Sequence, residues 1–481
     1  MNWIWIAAAG LAVMIFFGVK AKKDIHMLQL NSYQNNRYFK WLSKNQNQIF
    51  RAGNLFPVIA LMFLWNGSLW LWGLTWTCSY LLLIFLALRK KTVEKKKLVI
   101  TSRVKRLIGT VGILWAILLF ALYSYLQVAG STGLLIASAG LILLCVFSYL
   151  VVLLANLINL PLEKAIARWY VNDAKSKLKQ MPHLKVIGIT GSFGKTSTKY
   201  FLNRILSEKF NVLMTPESYN TTMGVVKTIR TMLRPIHEIF IVEMGAKQKG
   251  DIQEICDLVS PQYGILTAIG EQHLETFKNI DTIIRTKFEL VDSLPDKDGV
   301  AFLNYDNSYI RNRPTDKTAI RYGIEGAGLQ YWAEDIHFDA RGSTFTFCKS
   351  GGEKKVLQTK LLGTHNILNI VAVAAVAVEL GVDDEAISYA VKTIEPVPHR
   401  LELKATVSGR TIIDDAFNSN PEGAKMALQV LKTFASQKKI LITPGMVELG
   451  ARESEYNKEF GMQAAGVCDF IILVGPKRTI P

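Results

Sequence analysis

The chain has 481 residues, 50% of them hydrophobic and 20% charged, with mean hydropathy +0.20 and formal net charge +17. That length suggests about three domains, and the apolar content excludes intrinsic disorder and a small disulfide-stapled fold. Residues 1–160 hold 16 Lys and Arg against two acids, Asp24 and Glu94, whereas the remainder hold 40 against 37. The basic excess therefore belongs to the apolar third, where it marks cytoplasmic loops. The nearly balanced remainder excludes a basic nucleic-acid-binding domain, so no nucleic-acid partner is expected. The five cysteines, Cys78, Cys145, Cys256, Cys348 and Cys468, show no metal-ligand spacing and fit a reducing compartment. Cys256 and Cys348 read as buried fillers.

Residues 3–19 are almost wholly apolar and are followed, not preceded, by Lys20, Lys22 and Lys23. This reverses the order of a secretory signal and reads as an anchor helix with its N-terminus outside. Apolar residues return at 54–88, 107–126 and 134–159, and a crossing takes about 20 residues. Loop 20–52 holds seven Lys and Arg and loop 89–106 holds nine, so both belong inside. Two short crossings, 53–70 and 72–88, with a turn near Asn66–Trp76, satisfy that requirement; one long tilted helix is the alternative. Trp65, Trp70, Trp72 and Trp76 would then form an interfacial belt. With a further pair turning at Ala129–Gly133, five helices are expected (3–19, 53–70, 72–88, 107–126, 134–159). A multi-pass protein of the cytoplasmic membrane is expected, with membrane lipid as a partner and everything after Pro161 in the cytoplasm. Residues 161–182 are either a connector helix at the membrane surface or the first helix of the soluble part.

The soluble part opens with an apolar strand signal, Lys185–Ile189, then Thr190-Gly191-Ser192-Phe193-Gly194-Lys195-Thr196-Ser197 and a helical stretch. Strand, glycine loop, Lys-Thr and helix is the order a phosphate cradle needs. Glycines let backbone N–H groups converge on phosphate oxygens, the helix N-terminus adds a dipole, Lys195 adds charge, and Thr196 offers a hydroxyl to magnesium. The strict G-x4-G-K-[ST] spacing is not met, since position 189 is Ile. A second strand, Glu238–Val242, ends at Glu243, and a third, Tyr263–Ile269, leads to Gly270-Glu271-Gln272-His273. Parallel strands joined by helices bring all three ends to one sheet edge, so an α/β fold with a nucleotide site is expected.

The ordered segments TGSFGKTS, TPESYNTTMG, VEMGA, GEQHLE, TKFEL, GTHNILN, HRLE and DDAFNSNP resemble the Mur ligases, ATP-dependent amide-forming enzymes of peptidoglycan precursor synthesis. The type that adds D-alanyl-D-alanine to UDP-N-acetylmuramoyl-tripeptide is the most similar. The resemblance covers residues 164–481. It implies a central P-loop ATPase domain with a mostly parallel sheet (183–398) and a partial Rossmann-like C-terminal domain (399–481). It also implies ATP and Mg²⁺, an acyl substrate that is peptidyl or muramyl-peptide, and an amino acid or dipeptide amine. Gly191, Ser192, Gly194, Lys195, Thr196 and Ser197 would hold the phosphates. Thr196, Glu243 and His273 would ligate magnesium, and Lys287 matches a lysine that relatives carbamylate to help hold the metal. Lys195, Glu243, His273 and Lys287 are thus the catalytic set. Asn220 and Thr221 match the loop facing the acyl substrate. Asn366, in the run that begins at His365 and includes Asn369, matches a base contact, and Arg400, Asp415 and Asn418 match the part closing over ribose and phosphates.

Two departures bear on substrate. The helical third stands where this type carries its uridine-nucleotide-binding domain, so a lipid-linked acceptor or a poly-γ-glutamate-type product are both open. The part after Arg400 is only 81 residues, which reads as a possible truncation. A non-catalytic scaffold recruiting wall-synthesis proteins is a further alternative. An ATP-driven exporter is a poorer one, since no LSGGQ-type signature is present.

Overall fold

The computed structural model describes residues 2–45, 52–89, 97–217, 219–271, 274–325, 327–339, 342–405, 411–416, 421–434, 438–447, 449 and 452–475. The chain divides into two units, Met1–Arg168 and Trp169–Pro481.

The first unit is helical: α1 (Asn2–Leu30), α2 (Asn35–Lys44), α3 (Val58–Trp65), α4 (Leu69–Arg89), α5 (Ser102–Val146) and α6 (Ser148–Lys179), the unit boundary falling within α6. Helix α1 continues past Lys20–Lys23 because its polar groups find partners. Lys20 Nζ donates to the carbonyls of Cys145 and Val146, and Asp24 accepts from Tyr38 and Ser148. A Cβ on Gly73 would lie 2.6 Å from Trp5 Cβ, so α1 and α4 cross at a point only glycine permits.

Several expected spans are corrected. Helix α3 is shorter than the proposed 53–70 crossing, and the turn is confined to Asn66–Ser68. Trp65 and Trp70 are exposed, but Trp72 and Trp76 are buried with Tyr80 and Leu83, a helical stripe facing the core and not a belt. Helix α5 is helical without a gap, yet Trp115 stacks on Phe17 at 3.9 Å while Cys145 accepts from Lys20. A straight helix would hold Trp115 and Cys145 about 45 Å apart. The helical path therefore reverses between them, in the interval that includes Ala129–Gly133. The 134–159 span is broken at Phe147, and 161–182 is no separate connector, because α6 runs through Pro161 to Lys179. Among the described residues four stretches are long and apolar enough to cross a membrane: Ile4–Leu30, Leu69–Arg89, Ser102–Leu126 and Ser148–Lys179. Gly53–Trp65 and Thr132–Val146 are apolar but shorter, which is why five full spans are not found.

The second unit is α/β, as expected. Its main sheet takes β1 (Lys185–Thr190), β2 (Val212–Met214), β3 (Ile239–Glu243), β4 (Tyr263–Leu266), β5 (Val300–Asn304), β6 (Thr318–Gly323), β7 (Tyr331–Asp339), β8 (Gly342–Lys349) and β9 (Lys355–Thr359) in the order β2-β3-β1-β4-β5-β6-β7-β8-β9. Pairings from β2 through β7 are parallel, and β7-β8-β9 are antiparallel. Strands β1 and β3 are apolar and buried on both faces, as parallel strands covered by helices require. Helices α7 (Lys195–Leu206) and α11 (Thr364–Glu379) contribute to one core layer. Helices α8 (Thr222–Met232), α9 (Asp251–Val259) and α10 (Ile280–Asp292) contribute to the other. Cys256 and Cys348 are buried free thiols. Beyond α12 (Asp384–Thr393) come β10 (Glu402–Ala405), antiparallel to β11 (Thr411–Asp414), then α13 (Pro421–Thr433), β12 (Ile440–Thr443), α14 (Glu453–Ala465) and β13 (Phe470–Leu473), with β12 and β13 parallel.

Candidate active site

Strand β1 lies between β3 and β4, so the carboxyl ends of all three meet at a crevice in the sheet edge. The glycine loop leaves β1 there. Gly191 has φ +154, and a Cβ on it would sit 2.1 Å from Thr267 Oγ1. Gly194 has φ +83 and precedes the first residue of α7, a left-handed position that turns the chain into the helix. The loop is clasped from the β4 exit. Ser192 N–H donates to Ala268 O at 2.7 Å, the Ser192 hydroxyl donates to Gly270 O and accepts from Gly270 N–H, and Thr267 Oγ1 donates to Phe193 O. Ser197 follows in the first turn of α7. Lys195 Nζ bonds Gly191 O at 2.6 Å and Ser192 O at 3.2 Å. Burial pushes its ammonium down to about 8, against Glu243, with the Arg400 charge adding to the fall.

Glu243, the last residue of β3, is buried. Its Oε1 accepts from Thr196 Oγ1 at 3.2 Å and from Asn220 Nδ2 at 3.1 Å. Its Oε2 lies 3.0 Å from Lys199 Nζ. A hydroxyl and a carboxylate side by side at a helix N-terminus form a hard-oxygen donor set that fits Mg²⁺. Lys287, in α10, is buried on the same side. Burial first, then the Lys195 charge, push its ammonium well below the lysine range, against the pull of Glu289, Asp251 and Glu243. Arg400 is felt by both Lys195 and Glu243, and burial lowers its guanidinium while Asp415 and Glu243 raise it. Burial also pushes Asp415 up to about 6, although it accepts from Leu401 N–H. Lys195, Thr196, Glu243, Lys287, Arg400 and Asp415 thus come together.

Other predicted residues have local duties in this structure. Thr221 Oγ1 accepts from Gly224 N–H and caps α8. Asn220 O accepts from Gly245 N–H, holding its loop to the β3 exit. Asn366 Nδ2 donates to Leu362 O, and Asn369 Oδ1 accepts from Thr198, bracing α7 from behind. His365 is pushed down to about 4 by burial. His273 and Asn418 lie outside the described residues. Lys199 was not anticipated. It falls three residues before Leu202 on the buried stripe of α7, and a charge within an apolar helical stripe was the signal available.

Beside the loop a cavity of about 590 Å³ is lined by Phe193, Gly270, Asn304, Leu368, Lys425 and Tyr456, among others. Glu271, next after Gly270, accepts from Arg452 Nη1 at 2.7 Å and from the Tyr456 hydroxyl, which joins the C-terminal part to this edge. The arrangement suits a polyphosphate and its divalent cation, with a roomier pocket for the rest of the molecule.

Residues 189–377 match the Mur ligase middle domain family, and residues 399–481 match the family described as Mur ligase, glutamate ligase domain. The UDP-N-acetylmuramoyl-tripeptide--D-alanyl-D-alanine ligase of Bacillus subtilis is 32% identical, over 60% of this chain and 62% of that one. Its Escherichia coli counterpart is 29% identical, over 67% and 73%. MurF from Thermotoga maritima in complex with ADP superposes with a TM-score of 0.60 at 26% identity, over 65% of this chain and 71% of that one. MurF from Acinetobacter baumannii gives 0.59 at 28%, over 64% and 67%. The chain spans about six tenths of the length of the Bacillus relative.

Proposed function

The chain belongs to the Mur ligase family, and on that premise we propose that it is a membrane-anchored, ATP-dependent ligase that forms an amide bond in cell-envelope peptide precursors. The observation that carries this reading is the convergence of Lys195, Thr196, Glu243, Lys287 and Arg400 at the ends of β1 and β3. Phosphoryl transfer from ATP to a carboxylate gives an acyl phosphate, which an amine attacks with loss of phosphate and a proton. Thr196 and Glu243 would hold Mg²⁺, which neutralises charge on the phosphates. Gly191, Ser192 and Gly194 shape the loop, and Lys195 exchanges the carbonyls it now bonds for phosphate oxygens. Arg400 adds a second positive charge where the transferring group is most anionic. Lys287, whose ammonium burial pushes well below the lysine range, would be a nucleophile for carbon dioxide, and the carbamate formed with loss of a proton would offer the cation an oxygen.

The long apolar stretches of the first unit support membrane anchoring, with the basic loops inside. That unit stands where the related ligases grip a uridine nucleotide, which favours an acyl substrate carried on a lipid over a soluble nucleotide-linked one. An ATP-dependent ligation screen on the full chain in lipid nanodiscs tests the reading. It would offer UDP-linked muramyl tripeptide, lipid-linked muramyl peptide or glutamate, with D-alanyl-D-alanine among the amines. ADP and phosphate released only when acyl and amine substrates are both present, and lost in Lys195→Ala, are expected. Turnover in folded Lys195→Ala equal to the parent's would overturn the site.

A further inference from the structure

Lys199 has no exposed surface and faces a carboxylate that is itself buried. Its inward neighbours on α7 are Phe201, Leu202, Ile205 and Leu206, where an apolar side chain would cost nothing to bury. A buried ammonium is kept there at a cost, and besides the ring of Tyr200, 5.1 Å away, it meets two groups that show what it holds. One is Glu243 Oε2 at 3.0 Å, an ion pair without hydrogen-bond alignment, so Oε2 has no hydrogen-bond partner. The other is the backbone carbonyl of Glu217, which accepts from Lys199 Nζ. Glu217 has φ +40, a conformation a non-glycine residue adopts only when its surroundings hold it.

Glu217 lies in the segment between β2 and α8 that also carries Asn220. That segment is fastened to β3 at both ends: Thr215 N–H bonds Ile241 O, Glu243 N–H bonds Thr215 Oγ1, and Gly245 N–H bonds Asn220 O. Lys199 is the tie at its middle. We propose that Lys199 is a positioning residue that locks the Thr215–Thr221 segment to Glu243 and, by occupying Oε2, leaves that carboxylate a single oxygen, Oε1, to offer a cation. The second half rests on the reading of Thr196 and Glu243 as the cation's holders; the first half does not.

Lys199→Met keeps an unbranched side chain, one atom shorter, and removes its charge. In the full chain without nucleotide, amide hydrogen exchange at Tyr219, Asn220 and Thr221 should quicken roughly tenfold, the worth of one charged hydrogen bond. Mn²⁺ alone, titrated by its paramagnetic resonance signal, should bind several-fold more tightly, because one positive charge has gone and Oε2 is released to join Oε1. A merely structural lysine would leave metal binding unchanged or weaken it, so either result overturns the single-oxygen role. Exchange equal to the parent's overturns the tie. If Lys199→Met alone does not fold, Lys199→Met with Glu243→Gln removes both charges together, and exchange at the same amides must still quicken. Glu243→Gln by itself tests the cation reading separately: unchanged Mn²⁺ binding there sinks that reading and leaves the exchange result to judge Lys199.

Discussion

Lys195 carries the sharpest residue-level expectation. Burial pushes its ammonium down to about 8, outweighing the help of Glu243. Positive charge is therefore lost as pH rises through 8, and ADP affinity measured by calorimetry should fall over that interval. Lys195→Arg, whose guanidinium does not titrate there, should flatten the profile; an equal fall in the variant would refute the assignment. Gly194→Ala places a Cβ on a residue at φ +83 and should cost about 1–2 kcal/mol, read as a lower denaturant midpoint. Residues at strand ends were legible in the sequence because apolar runs that stop at Thr190 and Glu243 announce where a sheet edge must be. Lys199 was missed because attention to glycine loops and acids passes over a cation hidden on an apolar helix face. The local bonds of Thr221 and Asn366 were not legible either, since an Asn or Thr beside a helix start serves a backbone as readily as a ligand.

Among the elements, α8 depends on its cap. Thr221→Ala removes the hydroxyl that accepts from Gly224 N–H and should cost about 1 kcal/mol, whereas Thr221→Ser should keep most of it. If Ser restores stability but not turnover, Thr221 also serves the substrate, and the two duties separate. The parallel order of β1, β3 and β4 followed from strand and helix alternation. The helices of the first unit were harder to read, for physical reasons. Apolar length alone does not say where a helix breaks, so Phe147 ends α5 and Pro161 ends nothing. A proline within an apolar run costs one backbone bond, which neighbouring turns absorb. The buried stripe Trp72, Trp76, Tyr80 and Leu83 has a helical period that composition-based reading assigned to an interface.

At the scale of the whole molecule, the charge asymmetry sets an orientation. In a Cys78→Ser background, Gly67→Cys in intact cells should react with a membrane-impermeant maleimide, and Lys40→Cys should react only after permeabilisation. The opposite pattern would reverse the topology. Glu271→Ala should free Arg452 and Tyr456, raising proteolytic cleavage around α14 while leaving the β1–β3 register intact. Equal cleavage would show that this contact does not hold the C-terminal part.

The stretch Ala268–Glu271 has two clients. With Ala268 and Gly270 it grips Ser192 of the glycine loop, and with Glu271 it grips Arg452 and Tyr456. Four consecutive residues therefore serve both the glycine loop and α14. A displacement of α14 that keeps those bonds would be felt at Ser192 as well.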